Sequence, residues 1–278
     1  MPELPEVETV CRGLAKPFTG QVIASAQVRR PDLRRPFPRG LVKKITGRKI
    51  ASVTRRAKYA LLHMDDGSIL VLHLGMSGRV KILPPAQARD YKPETHDHFL
   101  FTSVRGHMMV LNDARRFGQV MWFKSDDAMM QDASFATLGP EPLSNAFSGP
   151  TLLAALAGKK TAIKVALLDQ RVVAGIGNIY ASEALYIAGI KPTRAAGTIR
   201  GDEAEALVAA IRQILTKAIE SGGSSLRDHR QTNGEMGYFQ FEFAVYDREG
   251  DACARCGKPI QRLVQGGRST FYCPGCQK

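Results

Sequence analysis

Four cysteines near the C-terminus constrain the fold of this chain more than any other feature. They form two Cys-x2-Cys pairs separated by 16 residues: Cys253, Cys256, Cys273 and Cys276. Each pair can form a tight turn that presents two sulfurs to one ion, and the residues between the pairs can form a hairpin. Four thiolates leave a zinc ion no open position for chemistry. The spacing therefore predicts one structural Zn2+ held at a small β-hairpin.

The chain is strongly basic. It has 278 residues, with 39 Lys and Arg against 26 Asp and Glu and a formal net charge of +13. An excess of this size indicates a polyanionic partner, with nucleic acid ahead of a membrane surface. No apolar run approaches the roughly 20 residues of a membrane span, and the N-terminus lacks the pattern of a secretory signal. Because the cysteines cluster as metal ligands rather than as a disulfide framework, we expect a cytoplasmic protein with no membrane partner.

The hydrophobic pattern makes the first half of the chain β-rich. Val7, Val10 and Leu14 recur at helical spacing and predict a helix over 3–15, with Cys11 as a buried apolar residue rather than a reactive thiol. Strand-like segments follow: Tyr59–Met64, Ser68–Leu74, Phe99–Ser103, His107–Asn112 and Gln119–Phe123. This order predicts a β-sandwich with one leading helix.

A stretch rich in glycine and proline, residues 139–150, separates this half from a helical half. The helices predicted beyond it are Thr151–Ala157, Thr161–Asp169, Asn178–Ala188 and Asp202–Ser221. The last should bury one stripe: Leu207, Val208, Ile211, Ile214, Leu215 and Ile219. We therefore predict an α+β chain of two domains. Its parts are a β-sandwich domain (1–138), a linker (139–150), a helical domain (151–238) and a four-cysteine zinc finger (239–278).

The N-terminus is the segment whose residues most clearly suit a chemical reaction. Once the initiator methionine is removed, Pro2 becomes a secondary amine near three carboxylates, those of Glu3, Glu6 and Glu8. An α-amino group titrates about two to three units below a lysine side chain, so part of it is unprotonated near neutral pH. Such an amine can attack a carbonyl-like or acetal carbon and leave a positively charged iminium. On residue types alone, a simple helix start is an open alternative, because proline suits the first helical turn.

The segment from Pro2 to Thr9 resembles the start of the formamidopyrimidine-DNA glycosylases, bacterial base-excision enzymes for oxidised purines. Other stretches agree in the expected order along the whole chain: Arg56–Tyr59, His73–Gly78, Arg115–Gly118, Gly177–Glu183 and the four cysteines. The resemblance implies a helix–two-turn–helix DNA-binding module next to the zinc-finger hairpin. It also implies a bifunctional DNA glycosylase and abasic-site lyase that acts on double-stranded DNA containing 8-oxoguanine or formamidopyrimidines. An enzyme that acts on one nucleotide needs no second subunit, so we expect a monomer associated with the nucleoid through DNA.

By the same resemblance, four residues are expected to be catalytic. Pro2 attacks the anomeric carbon while Glu3 gives a proton to the sugar ring oxygen, and β- and δ-elimination follow. Glu6 orders the amine rather than transferring protons. Lys58 acts as a cation near the anomeric carbon and its phosphate, and Arg268 at the hairpin tip assists the second elimination. Without the resemblance, Lys58 could be a solvated edge and Arg268 a surface charge.

The resemblance also implies the DNA contacts. Asn178 opens a helix whose N-terminus can receive phosphate, with Lys164 as its companion, although a plain helix entry is the commoner cause of such a turn. The other expected backbone contacts are His96, Lys159 and Arg115. Met76, Arg115 and Phe117 would fill the space left by the flipped base, although an exposed Met or Phe is usually part of a core. The polar segment 221–238 is expected to close over that base and to hold part of its selectivity.

Two alternative functions remain open at this point. The endonuclease VIII branch has a similar architecture but prefers oxidised pyrimidines, and Leu4 favours the purine branch because the sister branch resembles Pro-Glu-Gly-Pro-Glu at its start. A non-catalytic zinc protein that recognises kinked duplexes is the other possibility. Borohydride trapping on abasic DNA separates these, because only an amine enzyme leaves a covalent complex.

Overall fold

A computed structural model of the chain describes residues 2–224, Thr232 and residues 237–278. The chain divides into two compact units, one comprising Met1–Ala136 with Ser221–Tyr238 and the other Thr137–Glu220 with Phe239–Lys278. The sequence pattern predicts 221–238 as part of the helical domain. Its described residues group with the first unit instead, because Ser224 hydrogen-bonds to Glu6 and the Thr232 carbonyl accepts from Ile82. Most of the segment expected to close over the base lies outside the described residues.

The first unit is a sandwich of two antiparallel sheets with a helix at its start. Its helices are α1 (Leu4–Phe18), α2 (Leu41–Ile45), α3 (Pro85–Ala88) and α4 (Asp126–Met130). Its strands are β1 (Ile23–Val28), β2 (Ile50–Arg56), β3 (Tyr59–Met64), β4 (Ile69–His73), β5 (Arg79–Leu83), β6 (Asp97–Ser103), β7 (Met108–Asn112) and β8 (Gln119–Phe123). One sheet has the order β1-β6-β7-β5 and the other β2-β3-β4-β8. The predicted sandwich with a leading helix is confirmed.

Helix α1 belongs to the core of this unit. Its apolar face, including Val10 and Leu14, is buried among inward-facing strand residues, and the Phe18 ring meets the Phe101 ring edge-on at 5.0 Å. Cys11 lies on the same face, and its thiol donates to the Thr54 carbonyl at 3.3 Å. Burial raises the pKa of Cys11 to about 12, with a further rise from the Glu8 charge. This cysteine is therefore an inert core residue, as predicted.

The second unit is helical and ends in a hairpin. Its helices are α5 (Gly149–Leu156), α6 (Ile163–Leu168), α7 (Asn178–Ile187) and α8 (Gly201–Glu220), and its strands are β9 (Gln261–Gln265) and β10 (Arg268–Tyr272). Helix α5 begins two residues before the predicted start, because the Ser148 hydroxyl caps it by accepting from the Thr151 N–H. The α8 stripe is buried as predicted except that Ile219 is only half-buried and Ala218 is buried in addition.

The hairpin β9–β10 turns through two glycines. Gly266 and Gly267 have φ angles of 54° and 73°, the left-handed values that a tight two-residue hairpin turn requires. This turn puts Arg268 at the first position of β10, next to the tip, as the sequence predicted. Throughout the part of the chain that the structure describes, the helices are too short or too polar to cross a membrane.

Candidate active-site residues, DNA-contacting loops and zinc centre

The N-terminal residues are held in place by one carboxylate. Pro2 and Glu3 precede α1 and are both buried, Glu3 to 3% exposure. Glu6, in the first turn of α1, accepts a hydrogen bond from the Glu3 backbone N–H at 2.8 Å through Oε2. Its other oxygen accepts from the Ser224 N–H at 2.9 Å and from the Ser224 hydroxyl at 3.2 Å. Glu6 thus orders the terminus that carries Pro2 and Glu3 and ties it to the start of the segment 221–238.

Lys58 is carried by a two-residue turn between β2 and β3. Ala57, the first residue of the turn, has φ +50°, a left-handed value that costs an alanine roughly 1 kcal/mol or more. The Arg55 guanidinium supports the turn, since it donates to the Ala57 carbonyl at 2.9 Å and to the Glu8 carboxylate on α1 at 3.2 Å. Lys58 itself is only 7% exposed. It is therefore a buried cation and not part of a solvated edge.

His73, at the end of β4, lies within electrostatic reach of Lys58. Burial lowers the pKa of His73 to about 4, and the positive charges of Lys58 and Arg34 contribute to this fall. Its Nδ1 accepts the backbone N–H of Gly75 at 3.2 Å, which only an unprotonated nitrogen can do. The ring packs on Tyr59 with centroids 4.8 Å apart. The imidazole is therefore neutral near pH 7 and supports the backbone that leads to Met76.

The three residues expected to fill the space of a flipped base are all exposed. Met76 is 44% and Phe117 41% exposed, so neither belongs to the described core. Met76 lies in the loop after β4, and Arg115 and Phe117 lie in the loop after β7. The Arg115 guanidinium lies 5.0 Å from the Phe117 ring centre, within cation–π range. The first unit thus presents two apolar side chains and a cation from neighbouring loops.

His96 is exposed in the loop before β6. The next residue, Asp97, is fully buried, and its carboxylate accepts the Tyr91 hydroxyl at 2.6 Å and the Glu94 N–H at 2.7 Å. It also accepts the Asn112 side-chain amide at 2.8 Å, from the neighbouring strand β7. This network fixes the loop to the sheet and leaves the His96 ring at the surface, where a phosphate can reach it.

In the second unit, Lys164 and Asn178 meet beside the first residues of β10, close to the hairpin tip. Lys164 is fully buried, and its ammonium donates to Asn178 Oδ1 at 2.6 Å, to the Ser269 carbonyl at 2.9 Å and to Thr270 Oγ1 at 2.7 Å. The Asn178 amide nitrogen donates to the same Ser269 carbonyl at 2.9 Å and, at a longer 3.3 Å, to the Tyr246 hydroxyl. Helix α6, the start of α7 and strand β10 therefore share one buried polar contact.

The remaining two candidates of this unit are Arg268 and Lys159. Arg268 immediately precedes Ser269, is exposed, and makes no ion pair with the residues that the structure describes. Lys159 follows α5, is half-buried, and its carbonyl accepts the Gly197 N–H at 2.8 Å. Arg268 thus has a fixed backbone and a side chain open to solvent, which suits contact with an anion.

The four cysteines lie together. Their sulfurs are all within 4.8 Å of one another, with Cys253 and Cys276 3.8 Å apart and Cys256 and Cys273 3.4 Å apart. A disulfide would need about 2.05 Å. Tetrahedral zinc with bonds of about 2.3 Å places its sulfurs about 3.8 Å apart, so the four side chains fit this ion. With four protein ligands the site has no open position and holds one structural Zn2+.

Family models match three stretches of the chain. Residues 1–120 match the formamidopyrimidine-DNA glycosylase N-terminal domain, residues 138–230 its H2TH domain, and residues 250–278 the zinc finger found in FPG and IleRS. The formamidopyrimidine-DNA glycosylases of Azorhizobium caulinodans and Paracoccus denitrificans are 50% and 51% identical to this chain, with full coverage of both sequences in each comparison. The chain belongs to the formamidopyrimidine-DNA glycosylase family.

Solved structures of this family agree with the fold. The MutM (FPG) protein of Thermus thermophilus superposes with a TM-score of 0.87 at 39% identity, covering 99% of this chain and 98% of that one. A point mutant of the Lactococcus lactis FPG, in complex with a DNA containing Fapy-dG, gives a TM-score of 0.90 at 35% identity with full coverage of both chains. The protein is thus a DNA glycosylase of DNA repair, and the non-catalytic alternative is excluded.

One expected role in this glycosylase needs correction. Lys164 was predicted to accompany Asn178 in binding phosphate, but all three of its N–H donors are directed at protein acceptors and its side chain is fully buried. This arrangement favours a role for Lys164 in holding Asn178 over a direct contact with a DNA phosphate. Sequence could not separate the two cases, because a lysine in a short helix before a Gly-x-Gly turn is usually at the surface.

Several buried charged residues that fix the backbone near the candidate residues were not predicted. Glu183 on α7 is 1% exposed and accepts three backbone N–H groups, from Ala244 at 3.0 Å, Val245 at 3.0 Å and Tyr246 at 2.8 Å. This carboxylate anchors the chain that leads into the zinc finger. A signal was present, because Glu183 is the one charged residue among the ten of α7. Asp97 and Arg55 gave no such signal, since each also bonds to a residue far along the chain, Asn112 and Glu8 respectively.

Proposed function

We propose that this glycosylase excises oxidised purines, 8-oxoguanine and formamidopyrimidines, and then cleaves the resulting abasic site with the same amine. Removal of Met1 frees the Pro2 nitrogen, which attacks the anomeric carbon of the flipped nucleotide. Glu3 donates a proton to the sugar ring oxygen, the ring opens and the base leaves. General acid help of this kind is typically worth about 10²–10⁴-fold in rate. A protein–DNA iminium remains.

Strand cleavage follows from the charge of that iminium. It acidifies the proton on C2′, whose loss expels the 3′ phosphate by β-elimination. A second elimination expels the 5′ phosphate and leaves a one-nucleotide gap. The cations of Lys58 and Arg268 would stabilise the phosphates in these steps, Lys58 near the anomeric carbon and Arg268 at the second elimination. The burial of Lys58 supports this role, because a cation acts more strongly on a nearby anion when water is excluded.

DNA would be held mainly through its backbone. His96, Lys159 and Asn178 are the proposed phosphate contacts, and Asn178 can donate one amide N–H to phosphate by giving up its longer bond to Tyr246. Lys164 would act through Asn178 and not on DNA. An enzyme that reacts at the sugar must take the nucleotide out of the duplex, and glycosylases are an example of this class. Met76, Arg115 and Phe117 would enter the space that the base leaves.

The relatives support the choice of lesion. The Lactococcus lactis enzyme has been solved with a DNA that contains Fapy-dG and with a DNA that contains an abasic site. These two DNAs correspond to a substrate of base excision and to the substrate of strand cleavage. The relatives at about 50% identity carry the name of the purine branch, which favours oxidised purines over the oxidised pyrimidines of endonuclease VIII.

The observation that carries the proposal is the order of the N-terminus, where Glu6 holds the Glu3 backbone directly beside Pro2. The test compares Glu3→Gln with Glu205→Gln, a matched change at an exposed position on α8. On 8-oxoguanine duplexes, Glu3→Gln should lose at least about a hundredfold in single-turnover excision while its DNA affinity stays within about threefold. Thymine glycol duplexes should be poorer substrates for the wild type. Full excision by Glu3→Gln, or a preference for thymine glycol, would overturn the proposal.

A further inference from the structure

The loops that carry Met76, Arg115 and Phe117 lie side by side because of the sheet topology. We call residues 74–78 and 113–118 the wedge loops. The first leads from β4 to β5 and the second from β7 to β8. Strands β4 and β8 are paired in one sheet, and β5 and β7 are paired in the other. Both wedge loops therefore connect the two sheets, and each starts and ends beside a strand that carries the other loop.

One buried carboxylate joins the two wedge loops. Asp113 is fully buried, and its Oδ1 accepts the hydroxyl of Ser77 at 2.6 Å. Its Oδ2 accepts the backbone N–H of Gly118 at 2.7 Å. The Ser77 oxygen in turn accepts the backbone N–H of Arg115 at 3.2 Å. Both ends of the second wedge loop and the middle of the first are thus fixed through a single side chain.

The backbones of the wedge loops also touch. Gly75 has φ +62°, and a methyl group at this position would overlap the backbone carbonyl of Phe117. A methyl group at Gly118 would lie 2.9 Å from Asp113 Oδ2 and 3.0 Å from the His73 carbonyl. Real Cβ atoms rarely approach so closely, so neither position has room for a side chain. The loops are packed as a single body, and their exposed side chains extend from it.

We infer that Asp113 and Ser77 are positioning residues that hold Met76, Arg115 and Phe117 as one preformed wedge. This inference rests on the proposed function, because it assigns a role in taking the damaged base out of the duplex. A wedge that is ordered before it meets DNA does not lose conformational entropy on binding. Loosening it should therefore weaken extrusion of the base and leave the amine chemistry of Pro2 unchanged.

The experiment compares two substrates that differ in their need for the wedge. A duplex with 8-oxoguanine requires the base to leave the stack, whereas a single-stranded abasic oligonucleotide has no base to extrude. The variants are Ser77→Ala and Asp113→Asn. The control is Ser103→Ala, because Ser103 is buried in β6 and its hydroxyl has no hydrogen-bond partner among the described residues. The measurements are single-turnover excision, fluorescence of a 2-aminopurine next to the lesion, and borohydride trapping on the abasic strand.

We expect Ser77→Ala to slow duplex excision about tenfold and to reduce the 2-aminopurine change, with trapping on the abasic strand within about twofold of wild type. Asp113→Asn should slow duplex excision more strongly and should likewise leave trapping on the abasic strand nearly unchanged. Ser103→Ala should match the wild type on both substrates. An equal loss on both substrates would mean a general structural defect and would overturn the inference. Normal excision by both variants would overturn it as well. If the wild type itself neither excises nor traps, the proposed function fails first.

Discussion

Replacement of Lys164 by methionine tests whether this lysine supports the structure or binds DNA. Methionine keeps the length and apolar stem of the side chain but removes the three donors. The Ser269 carbonyl keeps its bond from Asn178, so two acceptors lose their partner, Asn178 Oδ1 and Thr270 Oγ1. Each buried acceptor that loses its partner lowers the stability by about 1–3 kcal/mol. Because the variant no longer buries a charged ammonium group, part of this loss is offset. We expect a local loss of about 3 kcal/mol.

The assay is hydrogen–deuterium exchange followed by mass spectrometry, which reports the stability of separate segments. A loss of about 3 kcal/mol should speed exchange roughly a hundredfold in peptides from the start of α7 and from β9–β10. Lys160→Met, at an exposed neighbouring lysine, is the matched control and should leave these peptides unchanged. DNA binding is measured over a series of salt concentrations in parallel.

A direct phosphate contact would give the opposite result. Each neutralised phosphate contributes about 0.9 to the slope of log affinity against log salt. If Lys164→Met lowered that slope by about one and left exchange unchanged, Lys164 would be a DNA ligand and the structural argument would be wrong.

Removal of zinc with a chelator should unfold the hairpin β9–β10 and abolish DNA binding while the fluorescence of Trp122 in the β-sandwich is retained, and an apo-protein with full DNA affinity would contradict the structural role. The pKa of His73 is held at about 4 in the folded protein, against 6.5 for an ordinary histidine. The contribution of the neutral imidazole to the free energy of unfolding is therefore complete above pH 6.5 and is lost as the pH falls toward 4. The free energy of unfolding, measured in urea through the fluorescence of Trp122, should fall by about 2 kcal/mol more between pH 7 and pH 5 in the wild type than in His73→Asn. An equal fall in both proteins would refute this. Glu183→Gln should lower the free energy of unfolding by about 2–4 kcal/mol, since its amide NH2 would face backbone N–H donors. Hydrogen exchange of the segment after Phe243 should rise accordingly. Unchanged exchange would refute the anchoring role.

The sequence predicted the elements well where the signals were local. The turn Asp65-Asp66-Gly67 placed β3 and β4 almost to the residue, because Gly67 takes φ +82° and Ser68 bonds back to Asp66. The helix α2 was not predicted, since its five residues are too few to establish a helical period. The grouping of 221–238 depends on Glu6, which is distant in the sequence, and no local pattern reports such a contact.

The candidate functional residues also divide into those that a local sequence pattern predicts and those that depend on distant contacts. The cysteine spacing was sufficient for the zinc centre because a metal imposes its own geometry on ligand spacing. The exposure of Met76 and Phe117 could not be obtained from composition, and only the resemblance indicated it. The buried acid Asp113 was not anticipated, because its partners include a backbone N–H group that has no identity in a sequence. Tertiary hydrogen bonds of this kind become visible only in the structure.

We propose that the Pro2 amine performs both steps of the reaction, base excision and strand cleavage. The most direct measurement is borohydride trapping on abasic DNA, followed by mass spectrometry of the cross-linked peptide. We expect a protein that begins at Pro2, because an amide nitrogen has no available lone pair, with the DNA attached to that residue. A cross-link to Lys58, or excision of 8-oxoguanine at the normal rate by a homogeneous preparation that retains Met1, would contradict it.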